Sequence, residues 1–247
     1  MADTDTVVAL LAGASGFVGA RVLEALLEAP EVARVLAVTR RPLGREHPHL
    51  ANRIVQFDHL ERQLAGLKCQ VAFCCLGARL GERERAEEEA LRRVDLGYTL
   101  AFARAAKAAG AARFVVISAA GADPAAKKAS LRAKGELEQM LAAVGFGALD
   151  ILQPAIVLGW PREVRPADLV RRAVTPLVNP LLVGTHAVHR GVPVRTAAAA
   201  MIGTLRSGRR GPQRYTYSGI CALAQLKPRK SAAGPAAAPG GPSPRAA

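Results

Sequence analysis

The chain has 247 residues, of which half are apolar and only 4% are aromatic, and this composition suits one α/β domain with a small appendage. Its net charge of +14 is accompanied by no Cys/His finger, helix-turn-helix signal or basic-aromatic pattern, so we expect no specific nucleic-acid partner. No apolar run approaches the roughly 20 residues of a membrane helix, and the acidic N-terminus leads straight into a strand pattern, so neither a transmembrane segment nor a secretory signal is expected.

The first elements predict a βαβ unit. Residues 7–12 form a continuous apolar run, which is typical of a parallel strand buried on both faces. A helix is predicted over residues 17–29 and a second strand over residues 34–39. A glycine-rich turn joins the first strand to the helix, whose N-terminal N–H groups and positive dipole end favour phosphate.

Each glycine of this turn has a separate physical task. Gly13 permits the tight turn, Gly16 lets the backbone approach a pyrophosphate, and Gly19 lets the helix pack closely on the strand. The alternative is a plain glycine turn that binds nothing, and the complete βαβ unit disfavours it. We assign the dinucleotide contacts of the turn to Gly13, Ser15, Gly16, Phe17 and Val18.

Arg40 and Arg41 stand at the end of the second strand, about 20 residues beyond the glycine turn, where an NAD enzyme usually carries an acidic residue. Guanidinium groups bind a 2′-phosphate through charge-assisted hydrogen bonds, whereas a carboxylate would repel it. The pair therefore predicts NADP(H) as the cofactor. The alternative is that both arginines belong to the solvated surface of a basic chain.

The next elements continue the alternation of strand and helix. Strands are predicted over residues 53–58, 71–77, 113–118 and 148–153, and helices over residues 94–109 and 131–144. Such an alternation predicts a doubly wound parallel sheet with right-handed crossovers, the Rossmann fold. Ligands of these sheets bind beyond the carboxyl ends of the strands. The residues expected at that edge, besides Gly13 and Arg40, are Asp58, Leu76, Gly77, Ser118 and Pro154. Asp58 is predicted to contact the adenine of the dinucleotide rather than to transfer a proton.

The pattern loosens after residue 159. We expect a small cap on the substrate side from about residue 160, with helices over residues 166–178 and 193–205 and a short strand over residues 214–218. The NAD(P)-binding domain is thus predicted to span residues 1–226. Residues 227–247 are basic and rich in Ala, Pro and Gly, a composition typical of disorder.

The four cysteines form no Cys-x-x-Cys pair and do not accompany His at metal-ligand spacing, so no metal site is predicted. Their usage is typical of a reducing compartment, and we expect a cytoplasmic protein. Cys74 and Cys75 lie inside a strand pattern and are interpreted as small buried apolar side chains.

Five segments of the chain carry a family resemblance: residues 13–16, 73–77, 93–95, 134–138, and Ser118 with residues 121–123. Together they resemble the atypical short-chain dehydrogenase/reductases, and within them the Tat-interacting oxidoreductase-like family with its bacterial relatives. The resemblance covers roughly residues 7–226 and implies an NADP(H)-binding fold with a Ser/Tyr/Lys catalytic set. In that set Ser118 would hydrogen-bond the substrate and Lys134 would hold the nicotinamide ribose.

The chain departs from this family at the catalytic tyrosine, because the position four residues before Lys134 is Ser130. A serine hydroxyl is far less acidic than a phenol and is a poor general acid at neutral pH. A second departure is Gln153 before Pro154, where relatives commonly show Arg-Pro. His186 and His189 are weaker candidates for a replacement acid.

Two functions are therefore predicted. The first is an NADP(H)-dependent oxidoreductase that acts on an unidentified small carbonyl compound, with Ser118, Lys134 and Ser130 as its catalytic positions. The alternative is a cofactor-binding protein with little or no turnover, which senses NADPH or engages a protein partner. Ser130 favours the alternative, and the retained Ser118 and Lys134 favour the enzyme. Nothing in the sequence predicts the oligomeric state.

Overall fold

A computed structural model describes residues 6–77, 91–159 and 190–228 of the chain. The strands in these residues are β1 Val7–Ala12, β2 Val32–Thr39, β3 Leu50–Ile54, β4 Val71–Cys74, β5 Arg113–Ile117, β6 Ala148–Leu152, β7 Ile156–Leu158, β8 Gly191–Pro193 and β9 Gly211–Tyr215. Seven of them form a parallel main sheet in the order β3-β2-β1-β4-β5-β6-β9, and β7 and β8 form a separate parallel pair.

Helices cover both faces of this sheet, as the alternating pattern predicts. The α-helices are α1 Phe17–Glu28, α2 Leu60–Gln63, α3 Thr99–Ala108, α4 Ala129–Ala143, α5 Val194–Gly203 and α6 Tyr217–Ala224. A π-helical segment, Leu91–Tyr98, runs directly into α3, and short 3₁₀ turns occupy Phe57–His59 and Thr204–Arg206. The strand order reverses between β1 and β4, so the doubly wound Rossmann prediction is confirmed.

The core consists of two apolar layers, one on each face of the sheet. Leu10 and Leu11 of β1 point to opposite faces, because successive side chains alternate along a strand. Phe114 and its aromatic neighbours fill the layer under α3 and α4, whereas Leu11 and Phe73 pack under α1 and α5. Ala197, Ala198 and Ala200 of α5 are buried in this second layer, which agrees with the low aromatic content of the chain.

Two strand predictions are wrong in position. The third strand was expected over residues 53–58, but β3 is Leu50–Ile54, and Asp58 lies in the 3₁₀ turn that follows. Val55 and Phe57 follow the strand and pack into the core. Their apolar side chains suggest a strand in the sequence, and the predicted bounds therefore lie too far along the chain.

The last strand was expected over residues 214–218, but β9 is Gly211–Tyr215, and Tyr217 already begins α6. Gly211 and Pro212 obscure the strand in the sequence. Pro212 is tolerated because β9 is the edge strand and needs no ladder donor on its outer side. The expected helix over residues 166–178, His186, His189 and most of the C-terminal tail lie outside the described residues.

Candidate functional site

The glycine turn after β1 adopts a conformation that larger residues could not share. Gly13 has φ +86°, and a Cβ atom there would lie 2.5 Å from the carbonyl oxygen of Cys75. A Cβ at Gly19 would lie 2.0 Å from the carbonyl oxygen of Gly13. The Gly16 N–H donates to that same oxygen at 2.9 Å, and Gly16 is the extended N-cap of α1. The turn therefore delivers the N-terminus of α1, with its unpaired N–H groups, to the edge of the sheet.

The carboxyl ends of the central strands meet at this edge. Cys75 N–H donates to the carbonyl of Ala12 at 3.0 Å, so the segment that leads to Leu76 and Gly77 lies beside the glycine turn. Ser118 N–H donates to the carbonyl of Leu152 at 2.7 Å and thereby joins the ends of β5 and β6. The buried Pro154 accepts from the Ala120 N–H at 3.1 Å. Most sequence-predicted site residues thus share one edge, next to the strand-order reversal.

The thiols behind the glycine turn are neutral. Burial raises the pKa of Cys74 to about 11 and raises that of Cys75 well above its ordinary value. Cys74 is fully buried and Cys75 packs its Sγ 3.9 Å from Met201 Sδ. Both side chains therefore pack as apolar groups, as the sequence indicates, and neither acts as a thiolate nucleophile.

Lys134 lies on α4 with Ser130 one turn before it, so both side chains leave the same side of the helix. The Lys134 ammonium group is 3.5 Å from the carboxylate of Asp95, which is buried in the π-helical segment. Asp95 also lies against Gly77, because a Cβ at that glycine would be 3.8 Å from Asp95 Oδ1. Short π-helical turns inside helices are frequent at functional sites. Asp95 belongs to one of the matching segments, but no role was predicted for it from the sequence.

Two other matching segments contact each other directly. A Cβ at Gly135 would lie 2.3 Å from backbone atoms of Asp123 and Pro124. Glycine is thus needed at the residue after Lys134, because α4 lies against the loop that follows Ser118. This close approach places the helix that carries Lys134 beside the end of β5.

Ser118 is engaged by a buried carboxylate. Its hydroxyl donates to Glu138 Oε1 at 2.6 Å. The Gln153 amide donates to both oxygens of Glu138 at 2.8 and 3.1 Å, and Arg214 Nε donates to Oε2 at 2.7 Å. Glu138 is only 2% exposed, so these donors replace the water that it lost. Because the single hydroxyl proton of Ser118 is donated to Glu138, the Ser118 oxygen keeps only acceptor capacity for other groups.

Asp58 lies beyond β3 at the side of the predicted adenine site. Hydrogen bonds from the Tyr98 hydroxyl, at 3.0 Å, and from the Arg93 guanidinium, at 3.3 Å, hold the pKa of Asp58 below its ordinary value. Asp58 lies in the 3₁₀ turn, and Arg93 and Tyr98 both lie in the π-helical segment, so two elements meet here at the surface. The carboxylate is therefore ionised and remains an acceptor. Its contact with adenine stays a prediction.

Arg40 and Arg41 are exposed at the end of β2, on the turn that follows the strand. The buried Thr39 hydroxyl donates to the carbonyl of Arg41 at 2.8 Å and fixes the start of this turn. Both arginines are thus close to the glycine turn in the sheet, since β2 is the neighbour of β1. Their predicted contact with a 2′-phosphate stays a prediction.

Residues 13–157 match the family described as NAD(P)H-binding. The chain belongs to this NAD(P)H-binding family. The matched segment begins at the glycine turn and includes Arg40, Ser118, Lys134 and Glu138, whereas Arg214 of β9 lies beyond it.

Curated relatives extend the match beyond this segment. Protein HTATIP2 from Rattus norvegicus is 32% identical over 200 residues, which cover 79% of this chain and 79% of the relative. The mitochondrial protein fmp52 from Aspergillus fumigatus is 33% identical over 174 residues, which cover 66% of this chain and 72% of the relative. The first of these confirms the resemblance to the Tat-interacting oxidoreductase-like group.

Solved structures share the fold of this NAD(P)H-binding protein. MoeE5 in complex with UDP-glucose and NAD has a TM-score of 0.61 at 19% identity, over 87% of this chain and 80% of that chain. A short-chain dehydrogenase family protein from Francisella tularensis has a TM-score of 0.60 at 15% identity, over 85% of this chain and 97% of that chain. Among residues 6–77, 91–159 and 190–228, no helix is long and apolar enough to cross a membrane.

Proposed function

We propose that this member of the NAD(P)H-binding family is an NADP(H)-dependent oxidoreductase of the atypical short-chain type, acting on a small carbonyl compound or the matching alcohol. The observation that carries the proposal is the shared edge at which the glycine turn, Ser118 and Lys134 converge. The residues present fit a dinucleotide, because Gly13 and Gly19 leave no room for a Cβ and the N-terminus of α1 is open to phosphate.

The chain's own residues have separate tasks in this proposal. The turn and α1 bind the pyrophosphate, Arg40 and Arg41 bind the 2′-phosphate, and Lys134, oriented by Asp95, holds the nicotinamide ribose. Contacts from Asp58, Leu76, Gly77 and Pro154 complete the cofactor site. The cofactor supplies hydride transfer when it is bound. Ser118 binds the substrate by accepting from its hydroxyl group or, once its own proton is released from Glu138, by donating to its carbonyl oxygen. Ser130 occupies the position of the missing general acid.

Substitution of Arg40 or Arg41 by Ala should weaken NADPH binding about tenfold or more and leave NADH binding almost unchanged. The reason is that each guanidinium loses a charge-assisted hydrogen bond to a phosphate group that NADH lacks. Isothermal titration of both cofactors against wild type and variants measures the effect. Equal dissociation constants of NADPH and NADH for the wild-type protein would contradict the NADP(H) assignment.

Ser130→Tyr should raise carbonyl reduction on the order of a hundredfold, because a phenol one turn before Lys134 supplies a general acid that serine does not. The measurement is NADPH oxidation with a panel of aldehydes, ketones and quinones. Lys134→Ala, compared in parallel, should lower both activity and cofactor affinity. If wild type already equals Ser130→Tyr in rate, the proton comes from another group, and the acid role of position 130 is wrong.

The second candidate is an NADPH-binding protein with little turnover that acts as a sensor or engages a protein partner. One observation favours it: position 130 is Ser. Tight NADPH binding without turnover, in wild type and in Ser130→Tyr, would select this candidate.

Three further features are proposed for either function. They are a cap from about residue 160, a tail over residues 227–247 that is dispensable for folding and cofactor binding, and a reducing, cytoplasmic location, although the fungal relatives are named as mitochondrial.

A further inference from the structure

A short chain of hydrogen bonds underlies the turn that carries Arg40 and Arg41. Asn52 of β3 lies beside Ala37 of β2 in the sheet register. Its side-chain Nδ2 donates to Thr39 Oγ1 at 2.7 Å and to the carbonyl of Ala37 at 3.2 Å. Its Oδ1 accepts from the Leu43 N–H at 2.9 Å. Both amide hydrogens and the amide oxygen of Asn52 are thus used.

The direction of these bonds is set by chemistry. Thr39 Oγ1 accepts from Asn52, so its own proton is available for the carbonyl of Arg41, 2.8 Å away. Thr39 is only 4% exposed, which shields this contact from water. The turn is consequently tied at Arg41 through Thr39 and at Leu43 through Asn52. The two arginines stand at the start of the segment that these contacts hold.

We infer that Asn52 and Thr39 are positioning residues that set the preference for NADPH over NADH. This inference rests on the proposed binding of the 2′-phosphate by Arg40 and Arg41. A guanidinium forks onto phosphate only from a defined direction, and a turn that is already ordered avoids the entropy cost of ordering on binding. NADH has no 2′-phosphate, so the ordered turn does not raise the affinity for NADH.

The remaining β2–β3 contacts are independent of these side chains. The parallel ladder pairs Val35 with Leu50 and Leu36 with Ala51, and Val55 N–H donates to the backbone carbonyl of Thr39 at 2.8 Å. Removal of the Asn52 amide or of the Thr39 hydroxyl therefore leaves the backbone hydrogen bonds of both strands in place. We expect the variants to fold.

The test measures dissociation constants of NADPH and NADH by titration for Asn52→Ala, Thr39→Val and wild type. Both variants should bind NADPH about fivefold to tenfold more weakly and bind NADH within about twofold of wild type. Thr39→Ser, which keeps the hydroxyl, should restore the preference. Ile54→Ala is the matched control, since it removes a 56% exposed side chain from the same strand and none of these hydrogen bonds. Thermal melting of every variant verifies that it is folded.

The outcomes separate this inference from the proposed function. The positioning role of Asn52 and Thr39 is supported if the preference for NADPH over NADH falls in Asn52→Ala and in Thr39→Val but not in Ile54→Ala. An unchanged preference, or equal weakening of both cofactors, overturns it while Arg40→Ala still tests the phosphate site by itself. A wild-type protein without any preference overturns both this inference and the NADP(H) assignment.

Discussion

Gly19→Ala should yield little folded protein, or protein whose melting temperature is lower by roughly 10 °C, equivalent to about 3 kcal/mol. The added Cβ would lie 2.0 Å from the carbonyl oxygen of Gly13, which is backbone and cannot rotate away. Either α1 moves off the sheet or the glycine turn opens, and each change also disrupts the cofactor site. Thermal melting and the yield of soluble protein measure the effect.

Gly97→Ala is the matched control, because Gly97 is also helical and its nearest neighbour, the Arg92 carbonyl oxygen, would lie at an ordinary 3.4 Å. Alanine is favoured over glycine in helices by about 1 kcal/mol, so this variant should melt at or above the wild-type temperature. Equal melting temperatures for Gly19→Ala and wild type would show that the close approach of α1 to the turn is not required.

Glu138→Leu should lower the free energy of unfolding by about 3 kcal/mol and the melting temperature by roughly 6–12 °C. The substitution leaves the Ser118 hydroxyl and the Gln153 amide without their acceptor inside the protein. Arg214 contributes less to the loss, because its side chain is 52% exposed and can be hydrated. Glu138→Gln, which retains one acceptor oxygen, should fall between wild type and Glu138→Leu.

Glu136→Leu makes the same chemical change two residues earlier on α4, at a half-buried position outside this hydrogen-bond cluster. Surface changes of this kind usually alter stability by less than about 0.5 kcal/mol. Similar melting temperatures for Glu138→Leu and Glu136→Leu would contradict the stabilising role of Glu138. NADPH titration of Glu138→Gln adds a second readout, since Lys134 lies one turn away.

The predicted site residues differ in how far the structure supports their grouping. One edge of the sheet brings together Gly13, Leu76, Gly77, Ser118 and Pro154. This is expected, because the carboxyl ends of parallel strands lie at the same edge of a sheet. Ser130 and Lys134 share a helix face, which their spacing alone requires. In contrast, the sequence did not reveal that Glu138 binds Ser118 or that Asp95 contacts Lys134.

The sequence by itself determined the elements whose signals are local. The apolar run before Gly13, the glycine spacing and the alternation of strands with helices predict β1, α1 and the doubly wound sheet, because buried parallel strands and tight turns restrict which residues are allowed. Edge strands carry weaker restrictions. The predicted bounds of the two edge strands, β3 and β9, were therefore wrong. Val55 and Phe57 are buried outside a strand, and Pro212 lies inside one.

Only the tertiary structure decided which polar groups are partners. Arg214 reaches Glu138 across 76 residues of sequence and Ser118 reaches it across 20, so no periodicity of a single element records these contacts. Asn52 meets Thr39 because β2 and β3 pair in one particular register. A buried carboxylate or amide must find donors wherever the fold places them, and that requirement, rather than a local motif, completes the surroundings of the site.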